Sequence, residues 1–165
     1  MAVLVIAEHD NNILKTSTLN TITAATKLSD DIHLLILGKD IETLSNNAKT
    51  IHPIKKILKC DNSKLENFIP ELSAPIISHI ANGYSHILAP ASTFGKNLLP
   101  RVSALLDVTQ ISDVIEIKSE NTFVRPIYAG NAISHVETNQ NINLLTIRPT
   151  SFEKCEETGG GASLE

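Results

Sequence analysis

The sequence predicts an α/β fold, a three-layer α/β/α sandwich built on a mainly parallel sheet. Three observations carry that expectation. Short β-branched and Leu-rich runs recur along the chain, at Val3 to Ala7, Ile32 to Leu37, Lys56 to Lys59, His86 to Ala89, Val114 to Ile117 and Leu144 to Ile147. Several of them are apolar almost throughout, the pattern of strands covered on both faces. Stretches with helical spacing separate the first four, and that alternation builds right-handed βαβ crossovers. The class is therefore Rossmann-like.

Each element follows from local chemistry. In the first helical stretch Leu19, Ile22, Ala25 and Leu28 recur every three residues, after a Ser17 or Thr18 able to cap the first turn. In the second, Ile41, Leu44, Ala48 and Ile51 follow Asp40. The third combines a capping box, Ser63 with Glu66, and two prolines, Pro70 and Pro75. Proline lacks the amide donor and clashes with the preceding turn, so the spacing predicts a short turn near Ser63 and a main helix from about Pro70 to Ala81. Asn82-Gly83 should end that helix with a left-handed cap. The fourth helix follows Ser92-Thr93 and should bury Leu98, Val102, Leu105 and Leu106, with Pro100 either kinking it or marking its regular start.

After Asp107 the rhythm changes. Thr122 to Tyr128 and Ala132 to Thr138 flank Ala129-Gly130-Asn131, where Gly130 and Asn131 are candidates for positive φ; this predicts an antiparallel hairpin appended to the parallel sheet. Glu153 to Gly161, with paired Glu and three consecutive glycines, lacks apolar periodicity. It reads as a flexible linker. The expected organisation is one α/β domain over residues 1–150 and a linker over 151–165.

Composition agrees with a soluble globular domain. A chain of 165 residues buries roughly 70% of its unfolded surface, enough for one core without disulfides or metal. An apolar share of 42% against 19% charged residues separates it from disordered chains. A formal net charge of -4 gives no electrostatic footprint for nucleic acid. Lys55, Lys56 and Lys59 surround Ile57 and Leu58, the pattern of a solvated strand edge. Cys60 and Cys155 lie far apart with no CxxC pair, as expected of free thiols in a reducing compartment. No uncharged run approaches the roughly 18 apolar residues of a membrane span, so no direct membrane insertion is expected. The start of the chain has neither an apolar signal core nor an Arg-rich transit segment. A bacterial cytoplasm fits, and a mature mitochondrial matrix chain whose presequence has been removed would read alike.

Several familiar sites are excluded or weakened by what they lack. No Gly-x-Gly-x-x-Gly follows a strand, and Gly159 to Gly161 have neither a preceding strand nor a Lys-Ser/Thr follower, which excludes a P-loop. Gly38-Lys39-Asp40 reads as a turn and cap. Glu8-His9-Asp10 closes the first strand at the carboxyl edge, where ligands of open α/β sheets bind. A His between carboxylates has the chemistry of a general base, yet no nucleophile elbow or oxyanion hole accompanies it. A locally hydrogen-bonded loop is the first reading and a partner contact the second. The six histidines contain no HxxxH or HxH pair, and no metal site is expected. Phe94, Lys96, Asn97 and Arg101 form a polar and aromatic shoulder on the fourth helix, with Asn97 one turn from Arg101. Taken alone they describe a solvated helix start. Arg125 offers bidentate recognition of carboxylate or phosphate, although a strand-exposed Arg usually meets only water.

Thr93-Phe94-Gly95-Lys96-Asn97-Leu98-Leu99-Pro100-Arg101-Val102, running on through Ile111-Ser112-Asp113-Val114-Ile115 to Phe123-Val124-Arg125-Pro126-Ile127-Tyr128-Ala129-Gly130-Asn131-Ala132, resembles the signature of the electron transfer flavoprotein alpha subunit. Val3-Leu4-Val5-Ile6-Ala7-Glu8-His9 at the start and Arg148-Pro149-Thr150-Ser151-Phe152-Glu153 near the end fit the same family in the same order. The resemblance implies an adenine-nucleotide-hydrolase-like sandwich, the amino-terminal domain of that subunit. It further implies that nearly all flavin contacts lie in a second domain beginning after Glu165, so that FAD belongs to the complete heterodimer and none is expected on this domain. No catalytic residues are implied here. The implied partners are the beta subunit, dehydrogenases such as those oxidising acyl-CoA, and a membrane quinone oxidoreductase. Phe94, Lys96, Asn97, Arg101, Arg125 and Asn131 become candidates for the subunit interface. A rival reading is a stand-alone, stress-protein-like nucleotide-binding module, since the family's beta subunit binds AMP on a related fold. It lacks the Gly-rich phosphate loop. A small hydrolase built on Glu8-His9-Asp10 lacks a nucleophile and ranks last.

Overall fold

The computed structural model describes residues 1–165. Its elements are β1 (Ala2–Ile6), α1 (Thr16–Ala25), β2 (Ile32–Gly38), α2 (Glu42–Ala48), β3 (Ile54–Asp61), α3 (Pro70–Ile80), β4 (Tyr84–Pro90), α4 (Thr93–Leu106), β5 (Gln110–Val114), β6 (Glu116–Ile117), β7 (Thr122–Ile127), β8 (Ala132–Glu137), β9 (Asn143–Ile147) and β10 (Ser163–Leu164). Seven strands form one parallel sheet in the order β10-β3-β2-β1-β4-β9-β5, and β6-β7-β8 form a small antiparallel sheet. The chain winds from β1 to β3 on one side and then returns to place β4 against β1 on the other. That reversal puts a topological switch point between β1 and β4.

Alternation along β1 creates the three layers. Val3, Val5 and Ala7 enter one apolar cluster with Leu19 and Ile22 of α1 and Leu44 of α2. Leu4 and Ile6 enter the other, with Ile77 of α3 and Leu98, Leu99 and Val102 of α4. Successive strand side chains point to opposite faces, so a strand apolar at every position seats helices on both sides. Full burial of each such side chain contributes about 1.5–3 kcal/mol.

Several local expectations are corrected. Ser17 and Thr18 lie inside α1, whose N-cap is Lys15, and their hydroxyls turn instead to Glu8. Asn62, rather than Ser63, caps the turn before α3 by accepting the Lys64 N–H. Gly83 shows no left-handed cap; α3 tightens into a 3-10 turn over Ala81–Gly83. Pro100 sits within a continuous α4, and Leu99 takes the buried place expected for Leu105, which is 55% exposed. The run expected as one strand from Val114 to Ile117 divides: β5 ends in the large sheet and β6 begins the small one, with Ile115 N–H donating to Val124 O across the junction. The hairpin pairs β7 with β8 as foreseen, but within the separate sheet. Its turn places Tyr128 (φ 49), Ala129 (φ 53) and Gly130 (φ 90) in the left-handed region, while Asn131 has φ -76.

The stretch expected as a flexible linker is packed. Asn20 Nδ2 donates to Phe152 O at 2.6 Å, Cys155 is buried, and His52 N–H donates to Glu156 O. Gly160 and Ala162 N–H groups then donate to Thr50 O and Lys49 O, after which β10 adds to the edge of β3. Backbone hydrogen bonds do most of this anchoring. Hydropathy does not register them, which is why the segment reads as loose in sequence.

Candidate carboxyl-edge site

Loops at the carboxyl ends of the parallel strands gather the polar chemistry. Glu8, just past β1, joins three elements: Ser17 Oγ of α1 donates to its Oε2 at 2.7 Å, and Ser92 Oγ, preceding α4, donates to the same oxygen at 3.0 Å. Thr18 Oγ1 accepts the Glu8 N–H and donates to Glu8 O, fixing the strand end to α1. A carboxylate thus sits at the switch point, where nucleotide-binding relatives of this architecture present donors to phosphate.

His9 is buried, with Nε2–H donating to Leu37 O at 3.1 Å and Nδ1 accepting Asn11 N–H at 3.0 Å. Burial lowers its pKa to about 4, against which the Leu37 carbonyl and Asp10 act only partly. The ring is neutral with both nitrogens engaged by backbone, so it has no lone pair free to take a proton. Asp10 accepts the Asn12 and Ile13 N–H groups and caps its own loop. Glu8-His9-Asp10 is therefore the locally bonded loop that the sequence favoured.

A cleft of about 340 Å³ opens beside this loop, lined among others by Glu8, His9, Lys15, Phe68, Phe94 and Asn97. Phe68 (φ 51) stacks edge-on against His9, with ring centroids 4.8 Å apart, and against Phe94 at 6.3 Å. A bulky residue in the left-handed region is strained, and the aromatic contacts on both sides hold it there. Sequence reasoning missed Phe68 because it lies in a loop without periodicity.

The six candidate residues occupy four places instead of one. Phe94 and Asn97 line the cleft. Arg101 turns away from it and pairs with Glu71 of α3 at 2.7 Å, an exposed ion pair worth at most about 1 kcal/mol. Asn131 stands at the hairpin tip, where its Nδ2 donates to Tyr128 O. Arg125 reaches Ser112 near the end of β5, and Lys96, exposed in the first turn of α4, acts with it on the Asp113 carboxylate through its charge. Arg148 binds that carboxylate through both Nε, at 3.1 Å from Oδ1, and Nη2 to Oδ2. Its hydrogen bond, aided by the charges of Lys96 and Arg125, holds the Asp113 carboxyl below the usual range despite partial burial. Arg125 Nη2 donates to Ser112 Oγ at 2.9 Å, while its buried Nε has no acceptor. A buried donor left unpaired costs about 1–3 kcal/mol. Only the tertiary structure shows that Ser112, Asp113 and Arg148 belong with these two cations.

No helix is long and apolar enough to cross a membrane. Comparison with known proteins agrees with the resemblance that the signature segments carry. The family described as electron transfer flavoprotein domain matches residues 3–165. An electron transfer flavoprotein subunit alpha from Pseudomonas aeruginosa is 46% identical over 165 residues, covering 100% of this chain and 53% of the relative. The mitochondrial subunit alpha of Dictyostelium discoideum is 43% identical, covering 98% of this chain and 48% of its own length. The subunit alpha of Paracoccus denitrificans is 39% identical, with 96% and 52% covered. The chain spans about half the length of these curated relatives. With a family match across residues 3–165 and 46% identity to an alpha subunit over its whole length, the chain belongs to the electron transfer flavoprotein family.

Proposed function

We propose that this chain is the scaffold and subunit-pairing domain of an electron transfer flavoprotein alpha subunit. In the complete heterodimer with a beta subunit, FAD carries electrons from dehydrogenases, such as those acting on acyl-CoA, to a membrane quinone oxidoreductase. The observation that carries this reading is the 46% identity over the whole chain to a protein named as an alpha subunit. The compartment that fits is a bacterial cytoplasm or, for a processed chain, a mitochondrial matrix.

The residues of the switch-point cleft do not fit FAD. The switch-point cleft presents the Glu8 carboxylate where a pyrophosphate needs donors, and the serine hydroxyls that would supply them already point at Glu8. No glycine-lined turn brings backbone amides close to a phosphate there. We therefore assign flavin contacts to the half of the relatives that this chain does not span, and assign no catalytic residue to this half. The same carboxylate argues against the stand-alone nucleotide-binding reading.

Within this reading Phe94, Lys96, Asn97, Arg101, Arg125 and Asn131 face the partner or the adjoining domain. Central aromatic and Arg side chains dominate protein interfaces, and truncating one typically costs ~2 kcal/mol, or roughly 30-fold in affinity. The test reconstitutes a full-length alpha subunit carrying Phe94→Ala or Arg101→Ala with its beta partner. Weakened pairing by about that factor is expected in both, with the melting temperature of this chain nearly unchanged for Arg101→Ala, whose ion pair is exposed, and lowered for Phe94→Ala, whose ring packs on Phe68 and the core. Unchanged pairing in both variants would remove α4 from the interface.

A further inference from the structure

A strand at the end of a sheet presents a row of unpaired N–H and C=O groups to any extended chain, unless brevity, lysines or a bulge protect it. The two sheets have four such ends, at β10, β5, β6 and β8. β10 and β6 are two residues long, and β3 behind β10 carries Lys55, Lys56 and Lys59. β5 is bulged between Ile111 and Val114. β8 has no such protection: its residues Ala132–Glu137 contain no Pro, Lys or Gly, and they pair with β7 without a register break from Thr122↔Glu137 to Ile127↔Ala132. The ladder fixes which of its groups stand open. Ile115 N–H donates to Val124 O and Lys118 N–H to Thr122 O, so Thr122 and Val124 turn their main chain toward β6. Alternation turns Phe123, Arg125 and Ile127 toward Val136, Ser134 and Ala132 of β8. Ile133, His135 and Glu137 therefore direct their N–H and C=O away from the sheet. All three residues are exposed, Ile133 at 54%, and Tyr128 in the adjoining turn is 79% exposed at φ 49.

We propose that β8 is a strand-addition site, on which the partner subunit lays an extended segment antiparallel to β8 as a fourth strand of the small sheet. Hydrogen-bonding geometry sets the form of the occupant. Ile133, His135 and Glu137 each offer one donor and one acceptor along about 14 Å of edge, a spacing that an extended backbone matches and a helix does not. Antiparallel addition continues the pattern of β6, β7 and β8 and pairs better per residue. The exposed side chains set its sequence: an apolar residue beside Ile133 and Tyr128, and a Lys or Arg beside Glu137. A second copy of this chain fits poorly. Self-pairing through all three residues centres on His135, which then faces itself, and sets Ile133 opposite Glu137 at both ends. A different chain is free of that constraint. This inference rests on the subunit-pairing reading and deepens it by naming the backbone edge that the partner engages.

Amide hydrogen exchange reads the edge directly, measured on this chain alone and on a full-length alpha subunit assembled with its beta partner. In the chain alone the Ile133, His135 and Glu137 amides should exchange fast, while Ser134 and Val136, bonded to β7, exchange slowly. In the complex the three outward amides should slow by about 100-fold or more. His135→Pro deletes one outward donor and spares the β7 ladder, a placement that edge strands tolerate. It should weaken pairing by roughly tenfold or more, with a melting temperature of this chain close to that of the parent. If this variant fails to fold, the exchange data carry the comparison. A complex in which the three amides stay fast overturns strand addition and leaves subunit pairing standing. Slowed amides with pairing unchanged in folded His135→Pro also overturn it, since covering without a ladder would then suffice. Slowing that appears in the chain alone and grows with its concentration assigns the edge to a second copy and overturns the partner strand. Failure of the two subunits to assemble removes the pairing reading, and this inference with it.

Discussion

Gly95 offers a test in which two physical effects have opposite signs. It lies in the first turn of α4, inside the segment whose sequence resembles the family signature, and it is buried against the end of β4. In an unconstrained helix Gly→Ala stabilises by up to about 1 kcal/mol, because alanine loses less backbone freedom on folding. Here a Cβ on Gly95 would stand 2.0 Å from Pro90 O, 3.1 Å from Pro90 C and 3.2 Å from the Ala89 Cβ. An ordinary carbon–oxygen contact is about 3.3 Å, so helix and strand must separate by about 1 Å or more. The colliding atom cannot swing aside as a side chain would, since the strand end is held by Pro90 pairing with Ile147 and by Ala91 N–H donating to Ile147 O. Overpacking against fixed backbone belongs at the upper end of its range, about 3 kcal/mol. Net destabilisation of about 2 kcal/mol is expected for Gly95→Ala, a fall in Tm of about 4–8 °C for a domain of this size. Urea unfolding followed by far-UV circular dichroism measures it, with Gly83→Ala as the control because nothing lies within 4 Å of that Cβ. A Gly95→Ala protein as stable as the parent, or more stable, would refute the close approach of α4 to β4. The position of Phe94, Lys96 and Asn97 would fall with it.

Other outcomes follow from the same contacts. His9 is held neutral, with its pKa lowered from 6.5 to about 4. The unfolded chain therefore binds the extra proton between those values, and stability falls as pH drops through that window by about 3 kcal/mol in all; His9→Gln should flatten this slope in urea midpoints measured across the range, and an unchanged slope would assign it elsewhere. Burial pushes the Cys155 thiol from 9.0 up to about 11, so iodoacetamide should modify it on the order of 100-fold more slowly than a free thiol, as mass spectrometry of timed samples would show. Modification of Cys155 at the rate of half-buried Cys60 would mean that residues 151–165 are loose. Gly160→Ala puts a Cβ 2.4 Å from Ile51 O, and should raise Cys155 reactivity toward that of Cys60 by lifting the segment from the turn that follows α2; no change in rate would show that other contacts hold it.

Elements with strong periodicity were legible. The strand runs around Val3, Ile32 and His86, and the helix from Pro70, stand where apolar spacing and proline placed them. What failed were positions where tertiary contact overrides a local preference. Leu99 replaces Leu105 in the core because α4 turns Leu98, Leu99 and Val102 onto the sheet and leaves Leu105 facing outward. Ser17 and Thr18 look like caps, yet Glu8 arrives from β1 and takes their hydroxyls. Asn131 was a reasonable turn residue, but Tyr128 and Ala129 carry the left-handed geometry before it. The tail escaped notice because its anchors are backbone groups, which carry no residue-type signal.

The sequence by itself determined the layered architecture and the family, since apolar periodicity selects which faces must be covered and the signature segments are continuous in the chain. It also named Phe94, Lys96, Asn97, Arg101, Arg125 and Asn131 as residues with chemistry to offer. Only the tertiary structure decided what that chemistry meets: Arg101 reaches Glu71, Phe94 meets Phe68, and Arg125 reaches Ser112, next in the chain to a carboxylate held by Arg148. The physical reason is separation. Burial and periodicity act over neighbouring turns and strands, whereas a site of charges is assembled by strand order, and here β9 enters the sheet between β4 and β5 to bring Arg148 beside Asp113.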